Sequence, residues 1–564
     1  MLSESKLSLL KELVTNSSHD ELIWTKGYIA GFIDREPGIN RQVTNAPIAA
    51  VTVKPTIIYG TETGNSKKVA SGLLASFKKN RINAKVADVF QYDIAKLEKE
   101  SLVLFVISTQ GEGEFPQNAQ AFYENLAASS ADLNKLSFAV LGLGDSSYPL
   151  FNNAGLLLDK ALGDRGAKRL LPLSMADVDY SDAVVQWENE LQALFSKAPA
   201  VAASPSNVIV PAQKQNYRGT ITHKIVLNDI GSAKETFHIE ITPEQPLLYE
   251  PGDALGILPR NESTVIERIL NYFKAESNSQ IEVHGQVKTA SKWLEERNVL
   301  GLSKRSVVAL GELLQKALPD DKADLEDLLS VYGVPDGITI GQLVSILLPI
   351  SPRLYSISSS TEAHDGQIHL IVNLNKFDAG SGLKFGLASK HLADYPLGTD
   401  IEFYIHKNKN FRLPQESTDI IMIGPGTGIA PFRSFISQRD ATGAQGKNWL
   451  FFGEQHFVQD FYYQTEIQDW LASGVLSTLD VAFSRDQPDK VYVQDRILEK
   501  ATEFNHWLEN GACLYICGQK SPMSADVESV IIEVIAAQRN ISPAEAVAVL
   551  EALEQEGRYQ KDVY

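Results

Sequence analysis

The sequence predicts a multidomain α/β protein in which two domains with parallel sheets flank an antiparallel β-barrel. In residues 55–195, apolar strand-like runs alternate with helical patterns, which favours a parallel sheet covered by helices. Residues 216–414 hold shorter strands of alternating polarity, typical of an antiparallel barrel. Residues 415–564 return to strand–helix alternation. A chain of 564 residues also exceeds what one hydrophobic core usually organises.

Composition excludes several classes of function. A formal net charge of −18 argues against nucleic acid as a partner, because phosphate neutralisation needs clustered Lys and Arg. No run approaches the roughly 18 apolar residues of a membrane span, and no secretory signal is evident at the N-terminus. The two cysteines, Cys513 and Cys517, exclude a disulfide framework and any all-cysteine metal site within the chain. We expect a reduced, cytoplasmic protein.

Residues 1–50 are predicted to form an N-terminal helical segment and a linker. Leu7, Leu10, Leu13 and Val14 recur at helical spacing, so we expect short amphipathic helices. A linker containing Pro37, Gly38 and Pro47 then leads to the first domain.

The first domain, residues 55–195, has predicted strands at 56–59, 102–107 and 138–141, and a polar loop follows each strand. Ligands of open parallel sheets lie at the carboxyl ends of the strands. The loop at 61–66 combines hydroxyls with a helix start and has no Lys, which suits a monophosphate rather than a nucleoside triphosphate. Tyr148 in the third loop offers a flat face for a planar ring.

A second domain, residues 216–414, follows an Ala-, Pro- and Ser-rich linker at 196–215. A mostly helical insertion, predicted from the patterns at 266–273 and 325–331, interrupts the barrel between about 260 and 345. Arg353 is placed at the end of a strand, where its guanidinium could neutralise a pyrophosphate, and Tyr355 could lie against a ring. Gly386 and Ser389 would bring N–H groups and a hydroxyl to the same diphosphate.

The last domain, residues 415–564, contains a glycine turn at 424–428 between an apolar strand, 420–423, and a helix that has Pro431 in its first turn. Such a turn lets the backbone approach a pyrophosphate. An NAD site would want an acidic residue roughly 20 positions further on, and the window 443–448 has none. Ser484, Arg485 and Lys490 instead suit a ribose 2′-phosphate, so NADPH is favoured over NADH.

The loops of the first domain resemble the FMN site of flavodoxin-like, doubly wound modules, particularly those of diflavin reductases. The resemblance implies that 61–66 holds the FMN phosphate and that 108–111 and 143–152 flank the isoalloxazine. Gln110 stands where several relatives place an aromatic residue. The implied FMN residues are Thr61, Glu62, Thr63, Gly64, Asn65, Ser66, Ser108, Thr109, Gln110, Gly111, Leu143, Gly144, Asp145, Ser146, Ser147, Tyr148, Pro149, Leu150, Phe151 and Asn152.

The barrel motifs resemble the FAD-binding segments of ferredoxin–NADP reductase-type modules, in which a barrel precedes a Rossmann-like NADP domain. The turn at 251–253 and the helical insertion match the diflavin subgroup. By this resemblance Ile371, Val372, Asn373 and Phe377 line the adenine side, although close relatives have Tyr at the position of Phe377. The other implied FAD residues are Arg353, Leu354, Tyr355, Ser356, Gly386, Leu387, Ala388 and Ser389.

In the same family a terminal aromatic residue, here Tyr564, covers the FAD ring where nicotinamide must enter. A Cys, a Ser and an Asp surround the hydride-transfer site, and the matching residues are Cys517, Ser356 and Asp562. Gln519 replaces the Asp that relatives usually have. The implied NADPH residues are Gly426, Thr427, Ser484, Arg485, Lys490, Val491, Tyr492, Val493, Gln494, Asp526 and Tyr564.

The module order implies electron flow from NADPH to FAD to FMN and then to a one-electron acceptor. No haem-thiolate motif lies in the chain, so we expect the acceptor to be a separate protein. Near full-length resemblance, including 24–28 and 558–564, is to the flavoprotein subunits of assimilatory NADPH–sulfite reductases. It implies a sirohaem/iron–sulfur partner subunit that reduces sulfite to sulfide for cysteine biosynthesis, and assembly into a large oligomer supported by the N-terminal helices.

Two alternatives remain open at this point. One is a soluble reductase that serves cytochrome P450 or a similar acceptor. The other is a non-catalytic flavodoxin-like electron shuttle or scaffold with degenerate nucleotide sites.

Overall fold

The computed structural model describes residues 54–195 and 215–564, apart from 62–63, 81, 111–112, 130, 147, 149, 179, 284, 320–322 and 379–381. The predicted N-terminal helices and nearly all of the linker at 196–215 therefore lie outside the described residues. The same holds for Glu62, Thr63, Gly111, Ser147 and Pro149. Residues 54–192 and 215–564 belong to one compact unit.

The first sheet is parallel and doubly wound, as predicted. Its strands are β1 (Thr56–Gly60), β2 (Lys85–Asp88), β3 (Leu102–Ser108), β4 (Ser137–Leu143), β5 (Lys168–Arg169) and β6 (Ser174–Ala176). Its helices are α1 (Asn65–Lys79), α2 (Gln117–Ala128), α3 (Asn153–Asp164) and α4 (Ser181–Phe195). The strand order is β2-β1-β3-β4-β5, with β6 beside β4. Because the order reverses between β1 and β3, a crevice opens at their carboxyl ends.

The next part of the chain forms an antiparallel sheet and a helical insertion. The strands are β7 (Asn216–Val226), β8 (Thr236–Pro243), β9 (Ala254–Ile257), β10 (Gln280–Val283), β11 (Gln286–Thr289), β12 (Arg353–Ser356), β13 (Ile368–Asn373), β14 (Lys376–Asp378), β15 (Leu383–Phe385) and β16 (Asp400–His406). The helices are α5 (Ser263–Tyr272), α6 (Ala290–Glu295), α7 (Lys304–Leu314), α8 (Leu325–Tyr332), α9 (Ile340–Ile346) and α10 (Leu387–Asp394).

Strand pairing closes this sheet into the predicted barrel. The order is β12-β9-β16-β7-β8-β13, and an antiparallel bridge between Ile357 and Leu370 joins the two ends. The sequence places Arg353 at the end of a strand, whereas it begins β12. Helices α5 to α9 pack around a separate apolar core, as the periodicity of the insertion predicts.

The last sheet is parallel. Its strands are β17 (Ile420–Ile423), β18 (Asn448–Glu454), β19 (Thr478–Phe483), β20 (Cys513–Gly518) and β21 (Tyr559–Val563). Its helices are α11 (Ala430–Thr442), α12 (Phe457–Asp460), α13 (Gln464–Ser473), α14 (Val493–Glu499), α15 (Ala501–Glu509), α16 (Ala525–Arg539) and α17 (Pro543–Gln555). The order β19-β18-β17-β20-β21 is a Rossmann-like arrangement.

An apolar core joins the barrel to the last sheet. Ile371 of the barrel packs in one cluster with Phe411, Phe432 and Tyr515. In the part of the chain that the structure describes, no helix is long and apolar enough to cross a membrane.

Candidate functional site

The first loop lies at the start of α1. The Gly64 N–H donates to Thr61 Oγ1 at 2.9 Å, and the Thr61 N–H donates to Asn118 Oδ1 at 3.1 Å. Gly64 has φ 91°, a left-handed conformation that glycine adopts without strain. Ser66 is fully buried, and its hydroxyl oxygen has no hydrogen-bond partner. A buried hydroxyl beside the N–H groups of a helix start fits a phosphate group.

The second and third loops meet beside it at the carboxyl edge of β3 and β4. The Thr109 N–H donates to Leu143 O at 2.8 Å, and Thr109 Oγ1 accepts from the Ala154 N–H at 3.2 Å. Ser146 bonds Asp177 through its N–H and its hydroxyl. The structure thus brings these two loops together, and Gln110 is exposed at their rim.

Asn152 supports the third loop from below. Its side chain is fully buried and donates to Ala176 O at 3.2 Å. A Cβ atom on Gly142 would lie 2.6 Å from Asn152 Oδ1, so only glycine fits there. Phe151 packs similarly against Gly144, where a Cβ would come within 3.1 Å of its ring. These contacts indicate that Asn152 shapes the third loop.

A cleft of about 2020 Å³ lies between these loops and the barrel. Predicted residues that line it are Gln110, Tyr148, Arg353, Tyr355, Asn373, Phe377, Gly386, Leu387, Ala388 and Ser389. Burial raises the pKa of Tyr148, and Asp145 adds to this effect, so the phenol is neutral. Burial also raises the pKa of Tyr355. Two uncharged aromatic rings therefore face a space large enough for planar ring systems.

Other predicted barrel residues do not reach this cleft. Ile371 and Val372 are buried, 4 % and 0 % exposed, in the two cores on either side of β13. Leu354 points away from the cleft, because Arg353 and Tyr355 flank it on an alternating strand.

Helix α10 begins in the same cleft that Arg353 lines. Gly386 caps the helix, and the Ser389 hydroxyl donates to Gly386 O at 3.0 Å. The Asn375 N–H donates to the same hydroxyl at 3.1 Å. Ser389 is thus largely engaged in holding the turn, and the N–H groups of α10 together with the guanidinium can receive a diphosphate.

A second cavity of about 520 Å³ opens at the carboxyl ends of the last sheet. Predicted residues that line it are Gly426, Thr427, Ser484, Arg485, Lys490, Tyr492, Val493, Gln494, Asp526 and Tyr564. Val491 instead packs against the core of the sheet. Asn373 lines both cavities, so the two adjoin.

The glycine turn allows two close backbone approaches. A Cβ atom on Gly428 would lie 2.2 Å from Cys517 O, and one on Gly424 would lie 2.5 Å from the Phe432 ring. Gly426 has φ 60°, in the left-handed region. The turn consequently runs directly against β20.

Sequence reasoning missed an ion pair in the second cavity. Glu454, at the end of β18, accepts hydrogen bonds from Lys234 Nζ at 2.5 Å and from Tyr462 OH at 3.1 Å. Lys234 comes from the loop between β7 and β8, so its proximity has no signal in the sequence. This acidic residue lies beyond the window 443–448, and its carboxylate is already paired with an ammonium group.

Three predicted catalytic residues meet beside residues that line the cavities, because Ser356 follows Tyr355 of the first cavity and Cys517 precedes Gly518 of the second. Ser356 Oγ donates to Asp562 Oδ2 at 2.8 Å, and Cys517 Sγ lies 3.9 Å from the same oxygen. Burial raises the pKa of Asp562 and raises the pKa of Cys517 well above its usual value, so the thiol is neutral. Tyr564 OH lies 2.7 Å from Thr427 Oγ1.

A histidine cluster lies behind the barrel wall. Among the described residues, the possible ligand atoms of His238, Glu240 and His369 lie within 4.8 Å of one another. Arg433 Nη1 is 3.0 Å from His369 Nδ1, and since guanidinium can only donate, this nitrogen accepts. A cation bound here would face the guanidinium, so the cluster suits neutral imidazoles rather than a metal ion.

Because His238 and His369 are buried in the neutral form, we expect the stability of the fold to decrease at acid pH. Burial, with Arg433 nearby, lowers the pKa of His238 to about 4 and that of His369 to about 2. Below pH 6.5 the two histidines bind protons in the unfolded chain but stay neutral in the folded chain. The free energy of unfolding therefore decreases as the pH falls from 6.5 towards 4. We expect a loss of about 2 kcal/mol per histidine by pH 5.

Urea unfolding at pH 7.5 and pH 5 measures this loss. His238→Gln should reduce the difference between the two unfolding midpoints, whereas replacing the exposed His506 on α15 should not. An unchanged pH dependence in His238→Gln would contradict the assignment.

Two parts of the chain match known protein families. Residues 57–188 match the family described as flavodoxin, and residues 422–529 match the oxidoreductase NAD-binding domain.

Three relatives that match over the whole chain are described as sulfite reductase (NADPH) flavoprotein alpha-component. The protein from Bacillus subtilis (strain 168) is 37 % identical over 596 aligned residues, which cover 100 % of this chain and 98 % of the relative. The protein from Yersinia enterocolitica serotype O:8 is 36 % identical over 592 residues, with the same coverage. The protein from Serratia proteamaculans (strain 568) is 34 % identical over 590 residues, again with the same coverage. The chain therefore belongs to the family of NADPH-dependent sulfite reductase flavoprotein alpha-components.

Proposed function

We propose that this chain takes electrons from NADPH and passes them through FAD and FMN to a separate haem-containing subunit that reduces sulfite to hydrogen sulfide. The observation that carries the proposal is the meeting of Ser356 and Cys517 at Asp562, since Ser356 follows Tyr355 of the first cavity and Cys517 precedes Gly518 of the second. Bound flavins supply the conversion of a two-electron hydride into single electrons, and the protein supplies position and electrostatics. We assign FMN to residues 55–195, FAD to 216–414 and NADPH to 415–564.

The FMN assignment is supported by the loops of the first sheet. The start of α1 and the buried Ser66 hydroxyl would hold the phosphate. The neutral Tyr148 ring would lie against one face of the flavin. Exposed Gln110 would lie at the other face, where it offers hydrogen bonds instead of stacking.

The FAD assignment is supported by Arg353 and the start of α10, which would bind the diphosphate together. Tyr355 would lie against the flavin ring, and Asn373 and Phe377 would lie on the adenine side. Ile371 and Val372 would act only through the backbone and through core packing.

The NADPH assignment is supported by the second cavity. Gly426 and Thr427 would face the diphosphate, while Ser484, Arg485 and Lys490 would bind the 2′-phosphate. Asp562 accepts a hydrogen bond from the Ser356 hydroxyl and lies beside the neutral Cys517 thiol. Tyr564, 64 % exposed, would cover the flavin and limit access of nicotinamide.

The identity of the acceptor is supported by the relatives, whose name places them as one component of a sulfite reductase. We infer a sirohaem/iron–sulfur subunit as the partner, a cytoplasmic location, and an oligomer assembled through residues 1–50. The competing candidate is a soluble reductase for cytochrome P450. The matches to both a flavodoxin and an NAD-binding domain also argue against a non-catalytic scaffold.

Flavin content tests the two-cofactor assignment. Extraction of the purified protein should release FMN and FAD in equal amounts, and NADPH should bleach the absorbance of both. Release of one flavin only would reject the relay.

Reconstitution tests the acceptor. Mixing the chain with a sirohaem/iron–sulfur protein and sulfite should give NADPH-dependent sulfide, with cytochrome P450 as the comparison acceptor. Rapid turnover of cytochrome P450 without sulfide formation would favour the competing candidate.

A further inference from the structure

We propose that Arg433 is a positioning residue for hydride transfer. With Ser434 and Gln438, it fixes the distance between the strand that carries Ser356 and the glycine turn. This inference rests on the proposed function, because it concerns the step between the NADPH cavity and the flavin cleft.

The positioning depends on a row of polar contacts between α11 and the segment after β12. Residues Ser358, Ser359 and Ser360, two to four positions after Ser356, are all 0 % exposed. Arg433 Nη1 donates to Ser358 O at 2.9 Å, and Ser434 Oγ donates to Ser359 O at 2.6 Å. Ser360 Oγ then donates to Gln438 Oε1 at 2.6 Å. Three successive residues of the barrel are thus bonded to one face of one helix.

The Arg433 side chain is held on its remaining sides. Its Nε donates to Glu466 Oε2 at 3.0 Å, its Nη1 also reaches His369 Nδ1 at 3.0 Å, and its Cζ lies 4.8 Å from the centroid of the Tyr463 ring. The residue is 7 % exposed, so a shift of the guanidinium would leave buried polar groups unpaired. The guanidinium therefore has one well-defined position between the barrel and the last sheet.

Helix α11 transmits this position to the nucleotide turn. It begins at Ala430, directly after the short 3₁₀ turn Gly426–Ile429. On the other side, Ser356 is bonded to Asp562. Reaction rates are sensitive to such spacing. A mutation far from the chemistry that misplaces the reacting groups by 1 Å can lower the rate about 100-fold.

Arg439 provides a matched control on the same helix. It is 3 % exposed, and its guanidinium donates to Thr418 O at 3.0 Å and Gly446 O at 2.7 Å. Both partners belong to the segments around β17 and β18, so these bonds do not connect to the barrel. Replacing either arginine removes a buried guanidinium. Of the two, Arg433 alone bonds the segment that follows the strand of Ser356.

The test compares Arg433→Met, Arg433→Lys, Ser434→Ala and Arg439→Met in the full chain carrying its flavins. Stopped-flow absorbance gives the rate constant of flavin reduction at saturating NADPH and 4-deuterated NADPH, and titration gives the dissociation constant of NADP⁺. We expect Arg433→Met to lower the rate constant about 10- to 100-fold, with a primary isotope effect and an NADP⁺ dissociation constant within about twofold of wild type.

Arg433→Lys should recover part of the rate, Ser434→Ala should lose a few-fold, and Arg439→Met should keep the wild-type rate. Equal losses in Arg433→Met and Arg439→Met, or a loss of NADP⁺ affinity alone, would overturn the proposal. If Arg433→Met fails to fold, a wild-type rate in Ser434→Ala overturns it and a slowed rate supports it. A wild-type protein that NADPH does not reduce would instead reject the proposed function itself.

Discussion

Replacing Asp562 with asparagine should lower the rate constant of flavin reduction by NADPH about 100-fold. Asp562 Oδ2 accepts a hydrogen bond from Ser356 Oγ at 2.8 Å and lies 3.9 Å from Cys517 Sγ. An asparagine carries an NH₂ group at one of the two carboxylate positions. With that group at the position of Oδ2, the hydroxyl and the thiol would both face a donor instead of an acceptor. Both side chains would then lose the orientation that the shared oxygen gives them.

Stopped-flow reduction measures this effect, and photoreduction of the flavins followed by electron transfer to the acceptor isolates the later steps. Those later steps should stay at the wild-type rate. Lys561→Gln is the control, because Lys561 is the preceding residue on β21 and bonds Glu528 at 2.6 Å near the surface. Equal rates of flavin reduction in Asp562→Asn and wild type would show that Asp562 has no role in hydride transfer.

Replacing both Arg485 and Lys490 with alanine should raise the KM for NADPH about 100-fold and leave the KM for NADH unchanged. Each side chain lines the second cavity and could make a charge-assisted hydrogen bond to the 2′-phosphate. Such bonds contribute about 1.5 to 3 kcal/mol each, so the loss of two accounts for the expected change. NADH lacks the 2′-phosphate, so its binding does not depend on these two side chains.

Binding of 2′,5′-ADP by calorimetry isolates the contribution of the phosphate. Arg496→Ala is the matched control, because Arg496 on α14 bonds Val481 O at 2.9 Å and Glu499 at 2.8 Å, and it does not line the cavity. Parallel weakening of NADPH and NADH in the double variant would show that the two residues contact the shared part of the nucleotides.

Local pattern was sufficient to predict the three sheets. The runs at 102–107 and 420–423 are uniformly apolar, as strands buried on both faces are, and lie within β3 and β17. Glycine spacing likewise located the turn of the second cavity, because close backbone approach leaves no room for a side chain there. Signals of this kind come from residues that are near one another in the chain.

The sequence pattern does not indicate which side chains reach a site from distant segments of the chain. Asn118 bonds the first loop from α2, and Lys234 enters the second cavity from a barrel loop. The positions of Ile371 and Val372 depend on which cores flank β13, and that is decided by tertiary packing. Glu454 lies beyond residues 443–448 because α11 and β18 are longer than the usual spacing of about 20 residues after the glycines requires.

The polar contacts between α11 and Ser358–Ser360 also bear on how the protein folds. Arg433 and the three serine residues are buried, so separating the barrel from the last sheet would expose or orphan all of these groups together. These contacts couple the unfolding of the barrel to that of the last sheet. A chain divided between β16 and β17 would leave two halves, each with buried polar groups whose partners lie on the other half.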